Sequence, residues 1–401
     1  MAHACHGHNS FFKGNYLFRA WTDASAIVDY LVFARRFVSE CEERHGVEAV
    51  EQLLDACHAL QNQGVDRYKR PSPISAEEEA RRQNEREAYL QQQINTLWST
   101  IPHPVHPDSS EHPDDPLGLR DRPRYPDEPQ ENLLYFIEKN APLLAPWQRE
   151  IVRIVRKLAQ YFYPQRQTQV MNEGWATFWH YNIMHRLYDE KLINEGIMLE
   201  FLQSHTAVVA QPGFDSPWYN GINPYALGFA MFSDIRRICE TPTEEDREWF
   251  PDMADQDWLE TVHFAMHNFK DESFIQQYLS PKVIRDLKLF ALMDDDQDDM
   301  LEIEAIHDDR GYRRVRDALS QQYSLGQREP DIQVWAANIH GDRSLVLRHE
   351  CTDRRPLDAS LQPVMRYLNQ LWGFPVLLES VESGEVMARH QWPPVSERIS
   401  P

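Results

Sequence analysis

QTQVMNEGWATFWHYNIMHRLYDE, residues 167–190, decides how the rest of the chain reads. It has no proline, its apolar residues recur at helical spacing, and it is unusually rich in aromatic side chains, so it reads as a helix. Working outward, the preceding ENLLYFIEKNAPLLAPWQREIVRIVRKLAQYFYP reads as helical too. Pro146 suits a first helical turn, and Trp147, Ile151, Ile154, Val155, Leu158 and Phe162 form a buried stripe. Pro164 is expected to end the segment. Downstream, helices are expected at Asn223, with Pro224 behind it, and at Thr241, where TPTE offers an N-cap, a proline at N1 and Glu244 at N3. DWLETVHFAMHNF and ESFIQQYL complete a helical body.

Nearer the N-terminus, Ile27, Leu31, Ala34 and Val38 mark an amphipathic helix from Trp21 to about Arg44, and a shorter one runs from Glu48 to Gln61 and stops near Gly64. A capping box of Ser75 and Glu78 opens a nearly all-polar helix. Residues 102–130 are too proline-rich for helix or strand and read as a linker or loop. Its histidines, His103, His106 and His112, lack the packed neighbours that fix metal ligands. After about Asp286 the pattern changes. KLFALM and MLEIEAI flank an acidic turn as a hairpin, and that turn fails the EF-hand test because Asp299 stands where glycine is needed and Ala305 where glutamate is needed. The helix GYRRVRDALSQQY, the strands DIQVWAANI, SLVLRHE, PVLLESV and EVMARHQ, and the helix SLQPVMRYLNQLWG then form a small covered sheet. The expected architecture is mainly α, a large helical domain over 1–285 with a smaller C-terminal α+β domain over 286–401.

Composition narrows the function. The 401 residues are 42% hydrophobic with 11 Trp, enough for a large core, and the formal charge of −22 repels nucleic acid and anionic membranes. Cys5, Cys41, Cys57, Cys239 and Cys351 are odd in number and hold no CxxC pair, which suits a reducing cytoplasm better than a disulfide framework or a cysteine zinc knuckle. No signal peptide and no apolar run of membrane-spanning length is present, so a cytoplasmic protein without membrane insertion is expected. No P-loop, nucleophile elbow or GxGxxG fingerprint occurs.

Two clusters could carry chemistry. Glu173 and His180 are seven residues apart, two helical turns on nearly one face, and could either enter one cavity or pair with polar groups in a crowded core. Trp175, Phe178 and Trp179 are expected to wall that cavity. The opening HACHGH offers His3, Cys5, His6 and His8. On an α-helix His3 and His8 diverge by about 140°, so they converge only if Gly7 marks a break. Together these residues supply two or three histidines and one carboxylate, the ligand mix of catalytic zinc. His205 could act beside such a site or cap a helix C-terminus, and His185, His263 and His267 read as core or surface residues.

HACHGHNSFF, the long central run from LLYFIEKN through MNEGWATFWHYNIM, SHTAVV, INPYALGFAMFSDIRR and KDESFIQQYLSPKVIRDLKLF closely resemble the stage V sporulation protein R (SpoVR) family over essentially the whole chain. NSFFKGNYLFRAWTDASAIVDYL and GDRSLVLRH look like its Gram-negative branch. Members are typically longer, so a chain that opens inside the first motif reads as lacking an N-terminal helical segment. The resemblance carries motif positions onto His3, Gly7 and His8 and onto Asn172, Glu173, Gly174, Trp175, Ala176 and His180; His6 lies outside the pattern. It implies a regulatory or interaction role, tied to spore cortex formation or stress response, beside a serine protein kinase and a von Willebrand-type domain protein. The alternative is a metal-dependent hydrolase acting on a peptide or cell-wall precursor. In that reading His3, His8 and His180 ligate zinc, and Glu173 is a fourth ligand or the base. A GH motif paired with a later EGWA helix also looks like some helical zinc peptidases, but Ala4 stands where their general-base glutamate would be.

Overall fold

The computed structural model describes residues 1–22, 27–67, 81, 125–293, 302–304, 308–339, 341–351, 357 and 360–394. The helix expected from Ser75, the segment carrying His103, His106 and His112, and the acidic turn at 294–299 lie outside the described residues.

The chain opens with a π-helix, Ala2–His8, followed by α1 (Asn9–Gly14), α2 (Tyr16–Trp21), α3 (Ile27–His45), α4 (Val47–Ala59) and a 3-10 turn, Gln61–Gln63. Then come α5 (Leu133–Asn140), α6 (Pro146–Arg166), α7 (Gln169–Asp189), α8 (Glu195–Val208), α9 (Pro224–Glu240), α10 (Glu244–Trp249), α11 (Trp258–Asn268), α12 (Asp271–Tyr278) and α13 (Pro281–Asp286). A short hairpin, β1 (Ala291–Met293) with β2 (Glu302–Glu304), precedes α14 (Asp309–Gln322) and α15 (Leu325–Arg328). The last segment is β3 (Asp331–Ala337), β4 (Leu345–Glu350), α16 (Leu361–Trp372), β5 (Val376–Glu382) and β6 (Glu385–Trp392). The fold is therefore mainly α with a smaller α+β part at the C-terminal end. Its sheet runs β3-β4-β5-β6, with β4 and β5 parallel and the outer pairs antiparallel. A parallel pair needs a crossover, and α16 supplies it.

Local chemistry moved three boundaries from where spacing put them. Trp21 closes α2, whose N-cap Asn15 accepts the Leu17 N–H, and α3 starts separately at Ile27. Pro164 does not end its helix, which runs on to Arg166. Its own carbonyl still receives the Gln167 N–H and the Thr168 hydroxyl. In TPTE the cap is Thr243, two residues later than expected. Thr243 and Asp246 form a reciprocal capping box, and Arg237 grips the Asp246 carboxylate with two bonds of 2.6 and 2.7 Å.

The chain forms two compact units, Met1–Ala24 with Tyr161–Arg328 and Ser25–Gln160 with Glu329–Pro401. The first is built round α7 and α9, whose Trp175, Phe178 and Phe232 join Phe11 of α1 and Phe274 of α12 in one buried core. These two helices meet backbone to backbone at Gly174 and Gly228. A Cβ on Gly174 would stand 2.4 Å from the Gly228 backbone, and one on Gly228 would stand 2.1 Å from the Val170 carbonyl oxygen. Asp271, almost fully buried, caps α7 by accepting the N–H groups of Val170 and Met171 at 2.9 Å each.

In the second unit α4, α5 and α6 pack with the sheet and α16 round Leu134, Ile137, Ile151, Val334, Leu347 and Trp372. Its buried charge is Glu138, whose side chain is wholly enclosed and meets Lys139, Arg153 and Arg156 at 2.9 Å each. Burial alone would raise its pKa, but Arg156, Lys139 and Arg153 together outweigh burial and hold it near about 2, against an ordinary 4.5.

Two outcomes follow. Gly228→Ala must prise α7 from α9, and should lose about 3 kcal/mol or more in urea denaturation, as overpacking against backbone does. A loss under about 1 kcal/mol would show that the helices separate freely. For Glu138 the folded pKa lies below the unfolded one, so its contribution, on the order of 3 kcal/mol, is present above pH 4.5 and is lost as pH falls toward 2. Glu138→Gln should be less stable at pH 7 and should lose less further stability than wild type between pH 5 and 2.5. Parallel acid curves for the two would contradict this origin.

Candidate metal centre

The opening π-helix lies along α7, and Gly7 makes the approach possible. A Cβ there would meet the Cα and Cβ of Ala176 at 2.6 Å. Beyond it Ser10 accepts a 2.8 Å hydrogen bond from the Trp175 indole and donates to the His6 carbonyl at 2.6 Å. Phe11 is fully buried, and the enclosed Asn15 donates to the carbonyls of Met266 and Phe269 at 2.7 and 2.9 Å. The first fifteen residues are thus tied into the core of this unit by packing and hydrogen bonds.

This geometry answers how His3 and His8 meet. They meet without the break at Gly7 that α-helical geometry would have required, since the helix runs on from His8 into α1. Instead the π-helix, whose hydrogen bonds join residues i and i+5, brings fifth neighbours onto one side. The two Nε2 atoms stand 3.0 Å apart, and His8 Nε2 is 3.6 Å from Glu173 Oε2. One ligand atom from each of His3, His8 and Glu173 falls within 4.8 Å of the other two. His6 and Cys5 point to solvent.

Each of these side chains is braced from behind. His8 Nδ1 pairs with Asn172 Oδ1 at 2.9 Å, and the His3 ring hydrogen-bonds the Ala176 backbone. The Glu173 carboxylate takes a hydrogen bond from the Tyr225 hydroxyl, while its Oε2 is buried without a partner. Burial first, then the bond and charge of Glu173, push the Tyr225 phenol up to about 12. Burial and the neighbouring His8 push His3 below its ordinary pKa, while Glu173 partly restores it.

His180 lies one ring further out. Its ring centroid is 5.6 Å from that of His3 and 4.8 Å from that of Phe201, and burial followed by His3 lowers its pKa. It is outside the tight group of three. His205, lowered by burial and then by His180 and His185, packs between Phe201 and Phe229. His185 packs at a tilt on Tyr181, ring centroids 3.9 Å apart, and His263 packs edge-on against Trp175 at 5.1 Å.

Trp175, Phe178 and Trp179 do not wall the histidine cluster as expected. At 3.6 residues per turn they lie on the side of α7 roughly opposite Glu173 and His180, where they join the core with Phe232 and Trp258. The rings beside the histidines are Phe12, stacked on His8 at 6.1 Å, and Phe201. Sequence spacing offered no signal for Tyr225, which depends on the glycine contact between α7 and α9. The signal for Asn172 was its place in the family motif beside Glu173.

Comparison with known proteins now bears on this arrangement. Residues 1–328 match the family described as SpoVR like protein, and residues 330–383 match the SpoVR-like C-terminal domain. The chain belongs to the SpoVR family. It is 61% identical over 395 residues to the uncharacterized protein YcgB of Escherichia coli (strain K12), covering 98% of this chain and 76% of that protein. No solved structure matches it. Among the described residues, no helix is long and apolar enough to cross a membrane.

If Gly7 sets the approach to α7, Gly7→Ala should release the opening helix while leaving the core intact. Hydrogen exchange of residues 2–8 should accelerate and that of α9 should not. Unchanged protection at the N-terminus would refute the role given to Gly7.

Proposed function

We propose that this SpoVR-family protein binds a transition metal ion of the zinc class through His3, His8 and Glu173. One observation carries the reading: two imidazole nitrogens face each other at 3.0 Å, beside a buried carboxylate oxygen with no hydrogen-bond partner. With Asn172 Oδ1 placed to accept from His8 Nδ1, the lone pair of His8 falls on Nε2, which faces His3 Nε2 and the Glu173 carboxylate. A cation among them would take the place of the hydrogen bond that one ring otherwise donates to the other. Donors bound at 2.0–2.2 Å to a tetrahedral ion stand roughly 3.4 Å apart, and the separations of 3.0 and 3.6 Å bracket that value.

Two imidazoles and one carboxylate are a catalytic type of zinc set, which leaves a position for water or substrate. Bound there, zinc supplies a Lewis acid and a water acidified to a pKa of about 7. Glu173 contributes the negative charge of the ligand set, Tyr225 orients that carboxylate, and His180 stands one ring away as a further imidazole beside His3. This supports a metal-dependent hydrolase, in a cytoplasmic protein, with a peptide or cell-wall precursor as the substrate class that the family's link to spore cortex suggests.

A second reading has its own support. Ala4 occupies the position of the general-base glutamate of helical zinc peptidases, and Glu173 is the one carboxylate in the group of three. The ion would then clasp the opening helix to α7, and the protein would act as a regulator beside a serine protein kinase and a von Willebrand-type domain protein in stress response or sporulation.

Elemental analysis of protein purified without chelator or affinity histidines tests both. About one zinc per chain is expected in the wild type, lost in His8→Ala and in Glu173→Gln. Absence of metal from the wild type, even after reconstitution, would overturn the proposal. Zinc-dependent cleavage of cell-wall peptides would then favour the hydrolase, and a zinc-dependent pull-down of the kinase without cleavage would favour the regulator.

A further inference from the structure

We propose that Asn172 is the positioning residue of this centre: its side-chain oxygen fixes which nitrogen of His8 carries the proton, and that restraint sets how tightly the site holds its ion. The inference rests on the metal reading above and adds what controls its affinity.

The two nitrogens of His8 have different surroundings. A neutral imidazole has one N–H and one lone pair, and only the lone pair can ligate. His8 Nε2 faces His3 and Glu173, whereas Nδ1 faces Asn172 Oδ1 at 2.9 Å. An oxygen at that position selects the Nδ1–H form and leaves the lone pair on Nε2. In the other tautomer a hydrogen would fill the space toward His3. The stacked Phe12 ring, 6.1 Å from His8, restrains the plane of the imidazole but cannot choose its proton.

Asn172 is built to hold that position. It is 7% exposed, its backbone N–H bonds the Thr168 carbonyl at 2.8 Å, and it precedes Glu173 on the same helix. One turn of α7 therefore presents the carboxylate and the group that orders its partner histidine. Bracing of this kind changes metal affinity by about 10- to 100-fold when removed.

Three proteins test it: wild type, Asn172→Leu, which keeps the bulk without the acceptor, and Asn172→Asp, which restores an acceptor. Zinc affinity is measured by competition with a chromophoric chelator, and the His8 tautomer of the metal-free proteins is read from 15N–1H couplings. The Leu variant should bind zinc about 10- to 100-fold more weakly and lose the Nδ1–H signature, with an unchanged circular dichroism spectrum. The Asp variant should bind within about threefold of wild type or tighter. Equal affinity in wild type and the Leu variant, or an Asp variant as weak as the Leu one, would overturn the role of Asn172 while leaving the metal site standing. Failure of the wild type itself to bind zinc would remove both.

Discussion

The close approach of three helical segments is the constraint on which the candidate site depends. The opening π-helix touches α7 where Gly7 meets Ala176, and α7 touches α9 where Gly174 meets Gly228. At both contacts a single methyl group would fall inside van der Waals distance of backbone. Because interiors are close-packed, such a group cannot be absorbed by small shifts nearby. The first contact sets His3 and His8 against Glu173. The second carries Tyr225 to the same carboxylate. Four residues that contribute no ligand thus decide where the ligands stand.

The same helix serves two opposed needs. One face of α7 gives Trp175 and Phe178 to the core, which holds the helix rigid, and the other gives Asn172, Glu173 and His180 to the polar cluster. A rigid element is what a metal-type site needs, since a ligand displaced by half an ångström no longer matches the ion. The cluster is only partly closed, with the side chains of His8 and Glu173 24% and 19% exposed, so solvent or a small molecule can reach it. The other unit solves a different problem. There Glu138 is fully enclosed, and three cations make its charge tolerable. A buried group of that kind without its partners would neutralise instead.

Much of this was legible before any coordinates. The helical body, the four strands, the covering helix and the cap at Asn223 follow from periodicity and capping chemistry, which act over a few residues. His3, His8, Glu173 and His180 were named together as candidate ligands from their residue types and motif positions, and the structure gathers the first three and leaves His180 one ring away. What failed were choices between nearby alternatives. Thr243 won the cap from Thr241 because Asp246, held by Arg237, completes its box. Pro164 stayed inside its helix, its own carbonyl accepting from the Gln167 N–H and the Thr168 hydroxyl.

The sequence by itself determined the element types, the family and the inventory of donors, since these rest on local pattern and residue chemistry. Tertiary structure decided how the donors are arranged. Whether His3 and His8 share a direction depends on a choice between α and π winding that a few hydrogen bonds settle. Which ring lies beside them, and whether Asn172 and Tyr225 reach them, depends on helices distant in sequence meeting at glycines. His180 shows the difference most plainly. Seven residues from Glu173, it shares that residue's face by helical arithmetic, yet two turns carry it about 10 Å along the axis, past the group of three and against Phe201.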